Sequence, residues 1–360
     1  MIYSLNLLYS IICSYSFSTY YNIGVKNKST LYLLFLAPMW TIWLFICGGQ
    51  YYVGTDYKAY YNIFKNQDLD LYYNNNEYLF VFITKLSGEL NLHPQIPFYI
   101  FYFIGFVFLF LLISKLHHKT SFIFIILYIT VSTVFNNQLN GLRQYIAIYI
   151  CSFGVLLLKE KYGIIKFISS VIIASMMHTS ALFFIPFTLF VNKIRINYKT
   201  IKLILLTSIV FAIWGKFDFI IGLFDFMIPI QYQHYITSTF NTTNNFNKIL
   251  TKLIFIPFYW ESIKLLKNNL LHNKDLFFYK IGILAYSTRL FFLNNYIFTR
   301  IGDLLILISI FPLYYLLREF YLNKKNTLFI LTILFFISFY LVKVILLPKQ
   351  EYLYNSIYFL

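Results

Sequence analysis

Long apolar runs, separated by short polar connections, are the feature of this sequence that most restricts its fold. Twelve such runs can be marked along the chain, near residues 2–19, 31–48, 95–114, 121–135, 142–158, 163–177, 179–191, 203–222, 249–266, 276–293, 301–317 and 327–347. A helix of about 20 mostly apolar residues crosses a bilayer. The sequence therefore predicts an all-α, polytopic integral membrane protein with about 12 transmembrane or half-length helices.

The composition excludes a soluble globular protein. Hydrophobic residues make up 59% and charged residues 12% of the 360 positions, whereas soluble domains have about 45–50% apolar and about 25% charged residues. We expect one transmembrane domain over residues 1–360, with longer outer loops at 49–94 and 223–248.

The basic residues predict the orientation of the helices. The chain has 29 Lys and Arg against 13 Asp and Glu, a net charge of +16. Seventeen of these cations lie in alternate short connections: Lys26, Lys28, Lys115, Lys119, Lys159, Lys161, Lys166, Lys193, Arg195, Lys199, Lys202, Lys264, Lys267, Lys274, Arg318, Lys324 and Lys325. The positive-inside rule places this group in the cytoplasm and both termini outside. The positive charge then serves topology, and a nucleic-acid partner loses its main support.

The two long outer loops are rich in Tyr and Asn. The first loop also contains acidic residues, including Asp56 and Glu77. Aromatic faces stack on the C–H surfaces of sugars, and amides hydrogen-bond to hydroxyl groups. The loops therefore fit a sugar-binding surface, and an ordinary solvated loop fits them equally well. The end of the first loop, from Glu77 to Glu89, is too short and too charged for a span and predicts an interfacial or re-entrant helix.

A polar stretch directly before an apolar run carries Arg143. Four amide side chains lie within residues 136–140, and Gln144 follows Arg143. A helix that begins near Gly141 would point its N–H groups and positive dipole end outward together with Arg143, an environment suited to phosphate. The alternative is an arginine that extends to the outer interface without a ligand.

His178 lies between two half-length apolar segments, 163–177 and 179–191. The chain must either bend tightly there or form a broken helix pair that enters the membrane partly. Both arrangements put the imidazole near the outer face, where it could act as a general base or hydrogen-bond donor. A structural histidine is the competing interpretation.

Two further arginines lie near the predicted outer side. Arg289 is close to the end of one apolar run, and Arg300 begins the next, with Asp303 three residues later. That spacing allows Arg300 and Asp303 to pair on one helical face. Alternatively, Arg300 is directed at the same anionic group as Arg143.

The sequence contains no phosphate loop, HExxH, paired CxxC or GxSxG motif, so we expect no cofactor and no metal. Cys13, Cys47 and Cys151 all lie in apolar runs. They predict small core residues and neither a disulfide framework nor a thiolate metal site.

Read in order, several motifs resemble those of one family. They are VGTDYKAYYNIF (53–64), NEYLF (76–80), NGLRQYIAIYI (140–150), MMHTSALFFIPF (176–187), FTRIGDLL (298–305) and the tail 352–356. This series resembles the EpsG family of exopolysaccharide polymerases, relatives of the Wzy-type O-antigen and capsule polymerases. The resemblance extends over nearly the whole chain.

The resemblance implies a multi-pass glycosyltransferase of the bacterial inner membrane with a GT-C-like fold. Such an enzyme moves a growing glycan from one undecaprenyl diphosphate to the next lipid-linked repeat unit, at a site facing the periplasm or cell exterior. The product would be O-antigen, capsule or exopolysaccharide. Its partners would be the glycan donor, the glycan acceptor and the bilayer, with a chain-length regulator and a flippase as candidate proteins.

Matched motif by motif, the resemblance carries over seven residues: Asp56, Tyr57, Glu77, Arg143, Gln144, His178 and Arg300. One departure is the pair Gly302 and Asp303, which stands where a more aromatic run is expected. The function of that helix is correspondingly open.

The residue types fit this chemistry. Breaking a glycosyl–diphosphate bond builds negative charge, and Arg143 and Arg300 are the cations best placed to hold it, with Arg289 a further substrate-binding candidate. The acceptor hydroxyl must lose a proton.

The catalytic candidates for that proton are Asp56, Glu77 and His178. His178 is the preferred base, and Asp56 either positions sugar or is the alternative base. The choice among the three stays open.

Two other functions remain as alternatives. A flippase or transporter of lipid-linked oligosaccharide should show internal repeats and midplane charges, and neither is evident. A membrane O-acyltransferase would need a route for a cytoplasmic acyl donor, for which the sequence gives no sign.

Overall fold

Helices are the regular secondary structure in the part of the chain that the computed structural model describes, residues 2–23, 28–193, 197–214, 246–294, 296–348 and 352–359. Its α-helices follow one another as α1 Ile2–Asn22, α2 Lys28–Leu31, α3 Ala37–Gly48, α4 Tyr57–Asn66, α5 Asp70–Asn74, α6 Tyr78–Glu89, α7 Ile96–Ser114, α8 Ser121–Thr130, α9 Val134–Asn137, α10 Leu142–Leu157, α11 Gly163–Ser175, α12 Phe184–Lys193, α13 Tyr198–Trp214, α14 Phe246–Leu253, α15 Ile256–Lys267, α16 Asn273–Phe291, α17 Tyr296–Leu304, α18 Phe311–Leu322 and α19 Asn326–Leu341. Short π-helical and 3₁₀ turns join several of them. The all-α prediction is confirmed for these residues.

Within the described residues, two helices are long and apolar enough to cross a membrane by themselves. They are Ile96–Ser114 and Asn326–Leu346, the latter being α19 with the π-helical turn that continues it. At about 1.5 Å per residue, such helices match a hydrocarbon core of about 30 Å. The other apolar helices are shorter or contain polar residues, so the prediction of about twelve crossings stays a prediction.

Large apolar side chains are exposed along these helices. On α1, Leu5, Leu8 and Ile12 are each more than half exposed and follow helical spacing, and on α19 the same is true of Leu331 and Leu334. Apolar stripes of this kind are unusual on soluble monomers. They are typical of helices that contact lipid.

The chain divides into two compact units, one formed by Met1–Ile185 and Leu317–Leu360, the other by Pro186–Leu316. The single transmembrane domain expected from the sequence stays a prediction. Most of the predicted outer loop 223–248 lies outside the described residues.

The core of the first unit packs α10 against α7 and α11. Gly105 and Gly154 permit this approach, since a Cβ on Gly105 would lie 3.1 Å from the Tyr149 ring and one on Gly154 2.7 Å from Ser170 Cβ. The three cysteines are buried and free. Their predicted place in the core is confirmed.

The first predicted outer loop is largely helical. Helices α4, α5 and α6 occupy much of residues 49–94. The sequence predicted a helix between Glu77 and Glu89, and α6 confirms it, with Phe80 buried and Phe82 exposed. Its interfacial or re-entrant placement stays a prediction. Side chains of α6 therefore alternate between the protein interior and its surroundings.

In the second unit, α16 packs on the turn that precedes α18. A Cβ on Gly282 would lie 2.6 Å from Pro312 Cδ, so a glycine is needed for this contact. The rings of Tyr259 and Tyr286 stack with centroids 3.5 Å apart, and Tyr259 donates to the carbonyl of Ser309 at 2.7 Å.

Candidate functional site

A buried ion pair between Glu77 and Arg143 forms the centre of the site in the first unit. Arg143 lies in the first turn of α10, which begins at Leu142 with Gly141 as its N-cap, as the sequence predicted. Glu77 is the N-cap residue of α6, and Arg143 Nη1 donates to its Oε2. The side chain of Arg143 is 16% exposed and that of Glu77 is 5% exposed. Because burying one charge alone is costly, each residue needs the other.

Aromatic rings surround the Arg143 guanidinium. Its central carbon lies 4.4 Å from the ring centroid of Tyr72, 5.1 Å from that of Phe80 and 5.8 Å from that of Tyr60. Arg143 Nε also donates to the Tyr60 hydroxyl at 3.3 Å. Cation–π contacts and a fixed hydrogen bond hold the planar group in one orientation. Two of its three nitrogens are engaged, and Nη2 makes no hydrogen bond to the described residues.

The segment that carries His178 is attached to the start of α6. The Thr179 N–H donates to Glu77 Oε1 at 3.3 Å, and the Thr179 hydroxyl donates to the Asn75 carbonyl at 2.6 Å. In return, the N–H groups of Leu79 and Phe80 donate to the Met176 carbonyl at 3.0 and 3.2 Å. His178 is therefore adjacent in the chain to Thr179, whose N–H binds the carboxylate of the ion pair.

The helix is broken at His178, as predicted. Helix α11 ends at Ser175, His178 is extended, and a 3₁₀ helix over Thr179–Phe183 leads into α12. The Ser180 N–H donates to His178 Nδ1 at 3.3 Å, and Ser180 Oγ lies 2.7 Å from the same atom. A backbone N–H can only donate, so this network assigns the proton of the neutral ring to Nε2. In this tautomer, His178 presents a donor where a general base would need a lone pair.

Asp56 lies exposed at the start of α4, and Asn140 fixes its backbone. Asn140 Oδ1 accepts hydrogen bonds from the Asp56 N–H at 3.0 Å and from the Thr55 hydroxyl at 3.2 Å. Asn140 stands three residues before Arg143. Tyr60 provides a second connection between Asp56 and Arg143. Its N–H donates to the Asp56 carbonyl at 3.0 Å, and its hydroxyl accepts from Arg143. The backbone of Asp56 is therefore connected to Arg143 through Asn140 and through Tyr60.

Two other predicted residues of this unit are placed differently. Tyr57 is 2% exposed, donates to Gln95 Oε1 at 2.7 Å and stacks on Phe98. A direct contact with substrate would require this ring to leave the core, so substrate binding by Tyr57 stays a prediction. Gln144 is half-buried beside Arg143 in the first turn of α10.

The polar stretch before Arg143 has several separate tasks. Gln138 is buried, and its Oε1 accepts from Tyr149 at 2.7 Å, which anchors the stretch in the core. Asn140 holds Asp56, as described. Asn136 and Asn137 accept hydrogen bonds from tyrosines near the C-terminus. Each of the four amides has a different partner, which explains why the run is longer than a turn requires.

Four residues of the site are not among the candidates that the sequence offers: Tyr60, Tyr72, Phe80 and Thr179. One signal was available for Tyr60, which follows Asp56 by one helical turn. The others reach the site only through contacts between distant segments.

In the second unit, Arg289 is buried and pairs with Asp303. Arg289 Nη2 lies 3.4 Å from Asp303 Oδ1, Nη1 donates to Ser309 Oγ at 3.1 Å, and Nε has no partner within the described residues. A Cβ on Gly302 would lie 3.2 Å from Arg289 Cα, so the glycine permits the close approach of α17. The spacing in the sequence predicted that Asp303 pairs with Arg300, but in the structure Asp303 pairs with Arg289. Arg300 is exposed on α17.

Burial raises the pKa of Glu77 above its ordinary value, and the charge of Arg143 and the Thr179 N–H oppose that shift without cancelling it. Among the described residues, no group of three or more His, Cys, Asp or Glu side chains is arranged to hold a metal ion.

The helices and this site together define an all-helical membrane protein with a charged, aromatic-lined site at the ends of its helices. The chain belongs to the EpsG family, whose model matches residues 32–356. The resemblance predicted from the motifs is confirmed, and the family indicates an exopolysaccharide-related polymerase. Comparison with curated proteins and with solved structures gave no match.

Proposed function

We propose that the protein polymerises undecaprenyl-diphosphate-linked oligosaccharide repeat units on the outer face of the bacterial inner membrane, as a GT-C-like glycosyltransferase. The observation that carries the proposal is Arg143, a permanently charged group fixed at a helix N-terminus by Glu77 and three aromatic rings. Helix N-termini and arginine forks both favour phosphate oxygens. The free Nη2 edge of Arg143 is the part that would meet the diphosphate.

In the proposed reaction, the bond between the anomeric carbon of the donor glycan and its diphosphate oxygen breaks. A new bond forms from that carbon to a hydroxyl oxygen of the acceptor repeat unit. The diphosphate departs with the bonding electrons, and Arg143 stabilises its charge. The acceptor proton passes to a carboxylate.

We assign that base to Asp56, because its carboxylate is exposed while Glu77 is committed to Arg143. His178 would donate a hydrogen bond from its Nε2–H to an oxygen of the departing diphosphate and keep its proton, as its tautomer favours. Arg289 serves the second unit as the partner of Asp303 and would position α17, and substrate binding by Arg300 stays a prediction.

The experiment on function is the glycan profile of a deletion strain complemented with variants. We expect the deletion strain to make glycans with a single repeat unit, and the intact gene to restore the ladder of chain lengths. Loss of all surface glycan would contradict the proposal and point to a flippase.

Asp56→Asn is expected to lower elongation in membrane vesicles by about 10²-fold or more, the usual contribution of a general base. Asp70→Asn, which neutralises an exposed carboxylate on α5, is the matched control and should elongate normally. At His178, Gln retains an N–H donor and Ala does not. More activity in His178→Gln than in His178→Ala supports a donor, and equal loss contradicts that role.

Gly54→Ala tests how Asp56 is held. Gly54 has φ +74°, and a Cβ there would lie 2.5 Å from Asn140 Oδ1, the acceptor that fixes the Asp56 N–H. The left-handed conformation costs a non-glycine residue about 1 kcal/mol, and the displaced amide should lower elongation about 10-fold. The control is Gly88→Ala on α6, whose Cβ would meet only the flexible end of Gln67. Normal elongation by Gly54→Ala would show that Asn140 does not position Asp56.

A further inference from the structure

The C-terminal segment Tyr352–Tyr358, called the strap below, returns to the ends of the helices of the first unit. Its backbone pairs with the residues that follow α3: the Tyr51 N–H donates to the Asn355 carbonyl, and the Ile357 N–H donates to the Gly49 carbonyl, both at 3.0 Å. A Cβ on Gly49 would lie 2.4 Å from the Tyr358 ring, so the glycine makes room for the strap. The strap is therefore docked by backbone bonds and shape together.

The strap and the end of the last helix also hold the segment Thr133–Asn140. The Tyr352 hydroxyl donates to Asn137 Oδ1 at 3.0 Å, and the Tyr340 hydroxyl donates to Asn136 Oδ1 at 3.1 Å. Asn136 and Asn137 are neighbours in the chain, so the two bonds restrain one short stretch of backbone.

Lys343 provides a third anchor. Its Nζ donates to Thr133 Oγ1 at 3.1 Å and lies 5.6 Å from the ring centroid of Tyr352. It stands in the π-helical turn Val342–Leu346, and such turns are frequent at functional sites. Thr133 has φ +51°, a left-handed conformation that is rare for a β-branched residue. Strain of this kind persists where surrounding contacts enforce it, and it tends to cluster near active sites.

The restrained stretch leads directly to the proposed site. Asn140 at its end holds the backbone of Asp56, and Arg143 follows in the first turn of α10. Meanwhile, the other edge of the strap pairs with residues 49–51, only a few positions before Asp56. The strap thus contacts both chain segments whose continuations carry the site.

We propose that Tyr352 and Lys343 are positioning residues of the polymerase site: they fix the segment Thr133–Asn140, and through Asn140 they place the Asp56 carboxylate relative to Arg143. The inference rests on the proposed function for its catalytic consequence. Its structural consequence can be measured independently.

The structural arm measures hydrogen exchange of the full-length protein in lipid nanodiscs. Tyr352→Phe removes one hydroxyl and retains the ring, and it should speed exchange of the amides in residues 133–140 at least fivefold. Leu353→Ala is the matched control, since Leu353 is a strap residue with a 57% exposed side chain, and it should exchange like the wild type. Unchanged exchange in Tyr352→Phe would overturn the proposal.

The kinetic arm measures elongation of a lipid-linked repeat unit in vesicles. Tyr352→Phe should lower kcat about 10-fold and change KM less than twofold, because a misplaced base slows chemistry more than binding. In an Asn140→Ala background, the same change should alter kcat less than twofold. Equal effects in the two backgrounds would show that the strap does not act through Asn140 and would overturn the proposal.

Lys343 offers a second variant pair. Lys343→Arg retains a cation and N–H donors and should keep at least half of the wild-type kcat, whereas Lys343→Met should resemble Tyr352→Phe. Equal loss in both Lys343 variants would contradict its positioning role. Failure of the proposed function has a different signature: vesicles with the wild-type protein would then elongate no lipid-linked repeat unit, whatever the exchange of residues 133–140.

Discussion

Arg143→Lys is expected to abolish chain elongation while the protein remains in the membrane at its normal level. Lysine keeps the charge, but its single ammonium group cannot bind Glu77 and Tyr60 and still present a planar edge to a diphosphate. Losing a fixed electrostatic donor of this kind typically costs about 10²–10³-fold in rate. The measurement is the glycan ladder in cells, with turnover of lipid-linked repeat units in vesicles.

The control for this variant is the same exchange outside the site. Arg318 lies on α18 among the cations predicted to face the cytoplasm, and Arg318→Lys should leave the ladder unchanged. Wild-type ladders in both Arg143→Lys and Arg143→Ala would remove Arg143 from the reaction, together with the proposed mechanism.

Glu77→Ala is expected to cause the largest loss of stability, about 3–5 kcal/mol, the usual cost of leaving one member of a buried ion pair unpaired. Arginine cannot lose its proton in a protein, so Arg143 would stay charged without its carboxylate. Arg143→Ala should cost less, because the Glu77 that remains can take up a proton. The measurement is the midpoint of thermal unfolding in detergent at one pH near neutrality, and equal midpoints in the two variants would contradict this asymmetry.

The Arg143→Ala variant should also lose stability as pH rises. Burial already raises the pKa of Glu77, and Arg143 is the largest influence that lowers it. A carboxyl with a raised folded-state pKa stabilises the fold fully below its unfolded pKa, about 4.3, and that contribution disappears as pH rises through the folded value. Adding Glu77→Gln to Arg143→Ala should remove this dependence. A double variant with the same pH profile as Arg143→Ala would exclude Glu77 as the titrating group.

Much of the local structure was predictable from the sequence. The apolar runs coincide with helices in their described parts, α10 begins where Gly141 indicated, and the helix breaks at His178. Each of these features depends on residues close together in the chain: apolar spacing, a terminal glycine, or a polar residue between two apolar segments. The family was likewise predictable, because short motifs in a fixed order require no three-dimensional information.

The partners within the site were not predictable in the same way. Glu77 and Arg143 are 66 residues apart, and Thr179 lies 102 residues from the carboxylate that it contacts. The sequence offers Glu77 and Arg143 only as separate candidates and does not single out Thr179. Helical spacing predicts Arg300 as the partner of Asp303, whereas the structure pairs Asp303 with Arg289 on the preceding helix.

The sequence by itself determined that this chain is helical, apolar and a member of the EpsG family, because those properties follow from composition, periodicity and local motifs. Only the tertiary structure decided that Glu77 is the partner of Arg143, that Asn140 holds Asp56, and that the Ser180 N–H donates to His178 Nδ1. The physical reason is that a charge or a hydrogen-bond donor has its chemical role set by whatever lies within about 3–4 Å of it. In this protein, those neighbours come from segments far apart in the chain.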